Sequence, residues 1–185
     1  ARRASRAAAG SGVLMPLAHV LANAGLFQLG WFACVLGAQR PWLLLVAVAC
    51  LLVHLLWMAP TRGEWRLVAL TMLAGWLLDS ALLNLGLFDF GAGAPVAPLW
   101  LALLWALFAT TLRHCLAWTA RPWWRASLLG AVGGPLSYLA GAELAGVGLP
   151  WGLLPSLLVL AGVWAVVMPL LHGLARLPVV ANAGR

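Results

Sequence analysis

Apolar residues follow one another for about twenty positions at a time, and charges and turn residues fall between these runs. A helix needs roughly 20 mostly apolar residues to cross the hydrocarbon core of a bilayer. The interruptions cut the chain into six runs of that kind. The first extends from about Val13 to Ala38 and ends at Gln39-Arg40-Pro41. The second, about Trp42 to Ala59, ends at Pro60-Thr61-Arg62-Gly63-Glu64. The third, about Arg66 to Phe88, gives way to the Gly/Pro-rich stretch Asp89 to Pro98. The fourth runs from about Pro98 to Thr119, and the fifth, about Ala126 to Val147, follows Arg121-Pro122. Gly148-Leu149-Pro150 separates it from the sixth, about Trp151 to Ala175. None alternates as a barrel strand does, and Leu and Ala, good helix formers, dominate them. The expected fold is all-α, a polytopic transmembrane bundle of about six spans. The expected organisation is a tail over 1–12, one membrane domain over 13–175 and a second tail over 176–185. Every connection is too short to hold a separate soluble domain.

Composition agrees. Of the 185 residues 64% are hydrophobic and 8% charged, whereas a soluble domain carries about 25% charged residues. The net charge of +7 comes from eleven arginines at the ends of apolar runs, not from a patch interleaved with stacking aromatics, so nucleic acid is excluded as a partner. If alternate run ends share a side, one side collects Arg2, Arg3, Arg6, Arg62, Arg66, Arg113, Arg121, Arg125, Arg176 and Arg185, and the other only Arg40. The positive-inside rule then puts both termini in the cytoplasm. Trp42, Trp57, Trp65, Trp100, Trp118, Trp123, Trp124 and Trp151 lie near run ends, the level an amphipathic ring prefers. Arg2, Arg3 and Arg6 precede an apolar run longer than the 7–15 residues of a signal h-region, so a retained first span is expected. The three cysteines, Cys34, Cys50 and Cys115, have no short spacing and read as apolar filler.

Ionisable and amide side chains inside such spans are costly and need a partner or a purpose. Asp79 is the clearest, about thirteen residues into the third run and followed by Ser80. His54 and His114 lie about a turn inside the second and fourth runs. Thr110 and His114, four apart, would share one helix face, with Thr111 beside them. Asn23 and Gln28 of the first run should point into the bundle, although five residues set them roughly 140° apart around the helix. The fifth run offers Ser137 and Tyr138 beside Gly130, Gly133, Gly134, Pro135 and Gly141, small residues that permit close helix packing and a proline that frees a backbone carbonyl. Most of these polar residues fall at mid-depth or in the cytoplasmic half, which suggests a polar chamber open to the cytoplasmic leaflet. His19 and His172, near the cytoplasmic ends, read as snorkelling side chains. No soluble-enzyme motif is present. No metal site is assigned, because one would need His54, His114 and Asp79 to converge from three spans.

The run Asn23-Ala24-Gly25-Leu26-Phe27-Gln28-Leu29-Gly30-Trp31-Phe32-Ala33-Cys34-Val35 resembles the start of a proteobacterial family of small inner-membrane proteins, catalogued as a domain of unknown function. Leu78-Asp79-Ser80, Pro98-Leu99-Trp100, Phe108-Ala109-Thr110-Thr111-Leu112 with His114, and Gly130 to Gly141 resemble later parts of the same pattern. The resemblance covers about Val20 to Ala175. It implies a bacterial inner-membrane location and brings no substrate or cofactor, so the cofactor is unknown.

Together these readings point to an intramembrane site that binds or modifies a lipid-like or amphipathic small molecule. Asp79 and His114 are the expected acid–base pair. Asn23, Gln28, His54, Ser80, Thr110, Thr111, Ser137 and Tyr138 are the expected ligand-binding residues. A small transporter or proton-coupled carrier using Asp79 is the first alternative, against which no internal repeat is found. A non-catalytic subunit, with a membrane-protein partner or as a homo-oligomer, is the second.

Overall fold

The computed structural model describes residues 16–181 except 92 and 94. The expected tail over 1–12, with Arg2, Arg3 and Arg6, and Arg185 at the other end lie outside the described residues. Six helices of ten residues or more follow one another: α1 Leu17–Gly37, α2 Leu44–Val53, α3 Arg62–Asn84, α4 Leu99–Ala109, α5 Trp124–Ala145 and α6 Leu153–Arg176. A single turn, α7 Pro178–Ala181, comes last. A 3₁₀ turn, Pro41–Leu43, leads into α2, and a π turn, His54–Met58, continues it. With those extensions five helical segments are long and apolar enough to cross a membrane. Among the described residues there is no strand; Asp89 and Gly148 form an isolated antiparallel bridge.

α3 begins earlier than the hydrophobic run suggests. The Thr61 hydroxyl oxygen accepts the backbone N–H of Glu64 at 3.2 Å, a helix N-cap that satisfies one otherwise orphaned donor. The helix therefore starts at Arg62, and Glu64 belongs to its first turn. Glu64, Leu67, Val68, Thr71, Gly75 and Asp79 then recur every three or four residues and are all buried, the inner stripe of an α-helix.

The expected fourth span departs furthest from expectation, for it is not a helix of membrane length. α4 ends at Ala109, not near Thr119. Thr110 and Thr111 turn their hydroxyls back onto the carbonyls of Leu107 and Phe108, both at 2.6 Å, a local bond that competes with helix continuation. The chain then proceeds through turns to a 3₁₀ segment, Ala117–Ala120. Asn23 holds this break together. Its Nδ2 donates to the Thr110 carbonyl at 3.0 Å, and its Oδ1 accepts from the Cys115 N–H at 3.2 Å. Irregular backbone at membrane depth needs such internal partners.

α5 packs most extensively on α6. A Cβ at Gly130 would lie 2.3 Å from the Trp164 carbonyl oxygen, and one at Gly134 would lie 2.2 Å from Trp164 Cγ, so only glycine permits this approach. α5 continues unbroken through Pro135. At one end of the bundle Gln39 Nε2 donates to Leu144 O, and the bridge joins Asp89 to Gly148. At the other end Arg113 donates to Ala175 O and Arg176 to Ala120 O. The outer surface is apolar, with Leu45, Leu56, Leu77, Leu136, Leu158 and Leu170 exposed along the helices.

Candidate functional site

Asp79 is fully buried and is gripped by two donors. Tyr138 donates its hydroxyl to Oδ1 at 2.5 Å, and Trp105 donates Nε1 to Oδ2 at 2.6 Å. The carboxylate thus bridges α3, α4 and α5. An aromatic stack holds the donors in place. Trp105 lies parallel to Trp164, with centroids 5.0 Å apart, and Phe88 stacks on Tyr138 at 5.5 Å. Gly75 makes room for the Trp105 ring, since a Cβ there would lie 1.9 Å from Trp105 Cδ2. Beside Tyr138, Ser137 Oγ accepts from Trp31 Nε1 at 3.0 Å, which leaves the serine proton for another acceptor.

Two apolar cavities flank the Ser137–Tyr138 pair and share Leu104 as a wall. The larger runs past Phe27, Trp105, Phe108, Gly130, Trp164 and Met168. The smaller continues past Trp31, Phe88, Trp100 and Gly141 toward Val147. Along α5 the lining spans Leu129 to Ala142, about 20 Å at the helical rise of 1.5 Å per residue. Together the two cavities make an apolar groove in two compartments along α5, with Ser137 and Tyr138 lining both.

A second polar group gathers at the end of the bundle that carries Arg62, Arg113 and Arg176. His54 Nε2 lies 3.1 Å from Glu64 Oε1, and His114 Nε2 lies 3.4 Å from the same oxygen. Arg113 Nη1 reaches the other oxygen, Oε2, at 3.3 Å, and its Nε and Nη2 donate to the Ala175 carbonyl. Asn23 Nδ2 meets His54 Nδ1 at 3.3 Å, and His19 Nε2 meets His114 Nδ1 at 3.3 Å. The π turn aims His54, the N-cap aims Glu64, and the break after α4 releases Arg113 and His114 from helical spacing.

The structure does not bring Asp79 and His114 together, so the expected acid–base pair is corrected. Glu64, the partner of His114, precedes Asp79 by fifteen residues on one straight helix, about 22 Å of axial rise. Asp79 pairs with Tyr138 instead. Gln28 is exposed, so the expectation that both amides of the first span point inward fails for it; Asn23 faces the bundle, and 140° of rotation carries Gln28 off that face. Thr110 and His114 share no helix face, because the helix has ended. Ser80 donates to Trp76 O and accepts from Ala97 N–H, which ties the α3–α4 connection to α3 and leaves it outside the groove. His172 is buried, with Nε2 2.7 Å from Thr119 Oγ1, and does not snorkel. Four residues gain a site position that their sequence context did not suggest: Glu64, Arg113, His19 and Trp105. For Glu64 a signal existed, since Thr61-Arg62-Gly63-Glu64 has the capping-box pattern that starts a helix and places the acid in its first turn.

An all-helical bundle with five membrane-length apolar helices, an apolar exterior and polar groups enclosed within is the architecture of a multi-pass integral membrane protein. Residues 20–170 match the family described as Protein of unknown function (DUF2878), and the chain belongs to that family. No curated protein and no solved structure matches it.

Proposed function

We propose that this protein binds, within the membrane, a lipid-like molecule with a long apolar chain, and that the Asp79–Tyr138–Ser137 group recognises a polar feature partway along it. The carrying observation is the groove itself: aromatic-lined, about 20 Å long by the rise of α5, and interrupted on one wall by Ser137 and Tyr138. Binding sites for apolar ligands have this character, a hydrophobic lining with a few placed polar groups. An acyl or isoprenoid chain matches its length. Tyr138 would present its hydroxyl to the bound molecule while Asp79 accepts the phenolic proton. If the protein also modifies its ligand, these two are the groups placed to move a proton. We also propose six crossings, with the 99–120 segment as the fourth, both termini cytoplasmic and a bacterial inner-membrane location. The ten-to-one arginine split and the grouping of helix ends support that topology.

A photoactivatable fatty acid offered to native membranes tests the reading. Crosslinks should map by mass spectrometry to Phe27, Leu104, Phe108 or Trp164. Excess unlabelled lipid should suppress them, and Tyr138→Phe should weaken them while leaving expression unchanged. Crosslinks confined to the exposed leucines, unaffected by competitor, would overturn it.

A further inference from the structure

The Glu64 group lies apart from the groove, and the reading above does not use it. We infer that His54, Glu64 and His114 form a binding site for a divalent transition-metal cation of the zinc class. Each residue offers one ligand atom, and the three atoms lie within 4.8 Å of one another. The spacing is informative. A charge-assisted hydrogen bond between imidazole and carboxylate is short, about 2.7–2.9 Å. Here His54 Nε2 is at ordinary hydrogen-bond distance from Glu64 Oε1, 3.1 Å, and His114 Nε2 stands further off, at 3.4 Å. Two donors that share a tetrahedral cation at bond lengths near 2.0–2.1 Å sit about 3.3 Å apart. Two imidazoles and one carboxylate, with a fourth position open, suit zinc and its first-row neighbours rather than calcium or magnesium.

A second observation points the same way. His114 Nε2 is buried and makes no well-formed hydrogen bond; it meets Glu64 Oε1 only at 3.4 Å. A buried polar atom without a good hydrogen bond calls for a reason, and a ligand to a cation supplies one. Two of the surrounding contacts are of the kind that orients metal ligands. His19 contacts the far nitrogen of His114, and Arg113, anchored to Ala175 O, holds Glu64 Oε2 so that Oε1 faces the histidines. The Asn23 amide is fixed by Thr110 O and Cys115 N–H and presents a donor to His54 Nδ1. In the cation-free protein this leaves the proton of the ring on Nε2, facing Glu64. Ligation through Nε2 as a neutral imidazole moves that proton to Nδ1 and gives up the 3.3 Å Asn23 contact, so this ring binds the cation by changing tautomer.

The test uses the full chain in detergent, without a histidine tag, stripped with EDTA and titrated with Co²⁺ and then Zn²⁺. One equivalent should bind per chain, with a tetrahedral Co²⁺ absorption spectrum that Zn²⁺ abolishes. Glu64→Gln and His114→Gln should each weaken binding by at least 10–100-fold, the loss that even supporting residues of metal sites produce. X-ray absorption on the wild-type cobalt form should show two imidazoles per cation, a readout that needs no variant. A monodisperse wild-type protein that takes up no metal, a cobalt shell of oxygen donors alone, or folded variants that bind as tightly as wild type would each overturn the inference.

Discussion

At the scale of single residues, two buried side chains do most to organise the interior. Asp79 accepts from Trp105 and Tyr138 together, so its removal strands two donors. A buried group left without its partner costs about 1–3 kcal/mol. Asp79→Leu should therefore lower unfolding stability in detergent by about 2–5 kcal/mol. Asp79→Asn keeps one acceptor and should cost less than half of that, while reducing ligand crosslinking at least as strongly as Tyr138→Phe. Equal and small stability losses for the two variants would show that the carboxylate has no hydrogen-bonding role. Asn23 closes the backbone gap after α4. Asn23→Leu, close in size, leaves the Cys115 N–H and the Thr110 carbonyl without that partner, and should destabilise by about 2–5 kcal/mol on the same reasoning. Asn23 and Asp79 were legible in the sequence because an amide or a carboxylate in an apolar run must find partners. Which partners could not be read, since Trp105 and Thr110 O are brought near by folding rather than by spacing.

At the scale of helices, a hydrophobic run measures how much chain is apolar, not how much is helical. The fourth run has span length, yet α4 stops at Ala109, because Thr110 and Thr111 satisfy local carbonyls and Asn23 serves the turns that follow. The third run led to the opposite error. Arg62 and Glu64 looked like loop residues, but the Thr61 cap draws them into α3, and the stripe that buries Asp79 also buries Glu64. The close approach of α5 to α6 was foreshadowed by the glycines, though only some of them are needed. Gly134→Ala meets the Trp164 ring, whereas a Cβ at Gly133 meets nothing within 4 Å. Gly134→Ala should lower the melting temperature and disturb Trp164 fluorescence. Gly133→Ala should be neutral or stabilising by up to about 1 kcal/mol through helix propensity. Matching losses for both would contradict the packing described here.

At the scale of the whole molecule, the polar groups form two stations separated along α3, one beside the apolar groove and one at the arginine-rich end. The single chamber expected from depth counting resolves into these two, because fifteen residues of helix lie between Glu64 and Asp79. Topology fixes which leaflet each station faces. Reporter fusions at Gly63 and Ala120 should report cytoplasmic, and fusions at Arg40 and Gly148 should report the opposite side; two contrary reports would overturn the six-crossing map. The central claim is that the groove holds an apolar chain beside Tyr138. An experimental structure of the protein in nanodiscs made from native membrane lipid tests it most directly. The account predicts elongated density between Phe27, Phe108 and Trp164, with a polar atom within hydrogen-bond distance of Tyr138 or Ser137. A groove closed by its own side chains, with lipid density on the outer leucines alone, would contradict it.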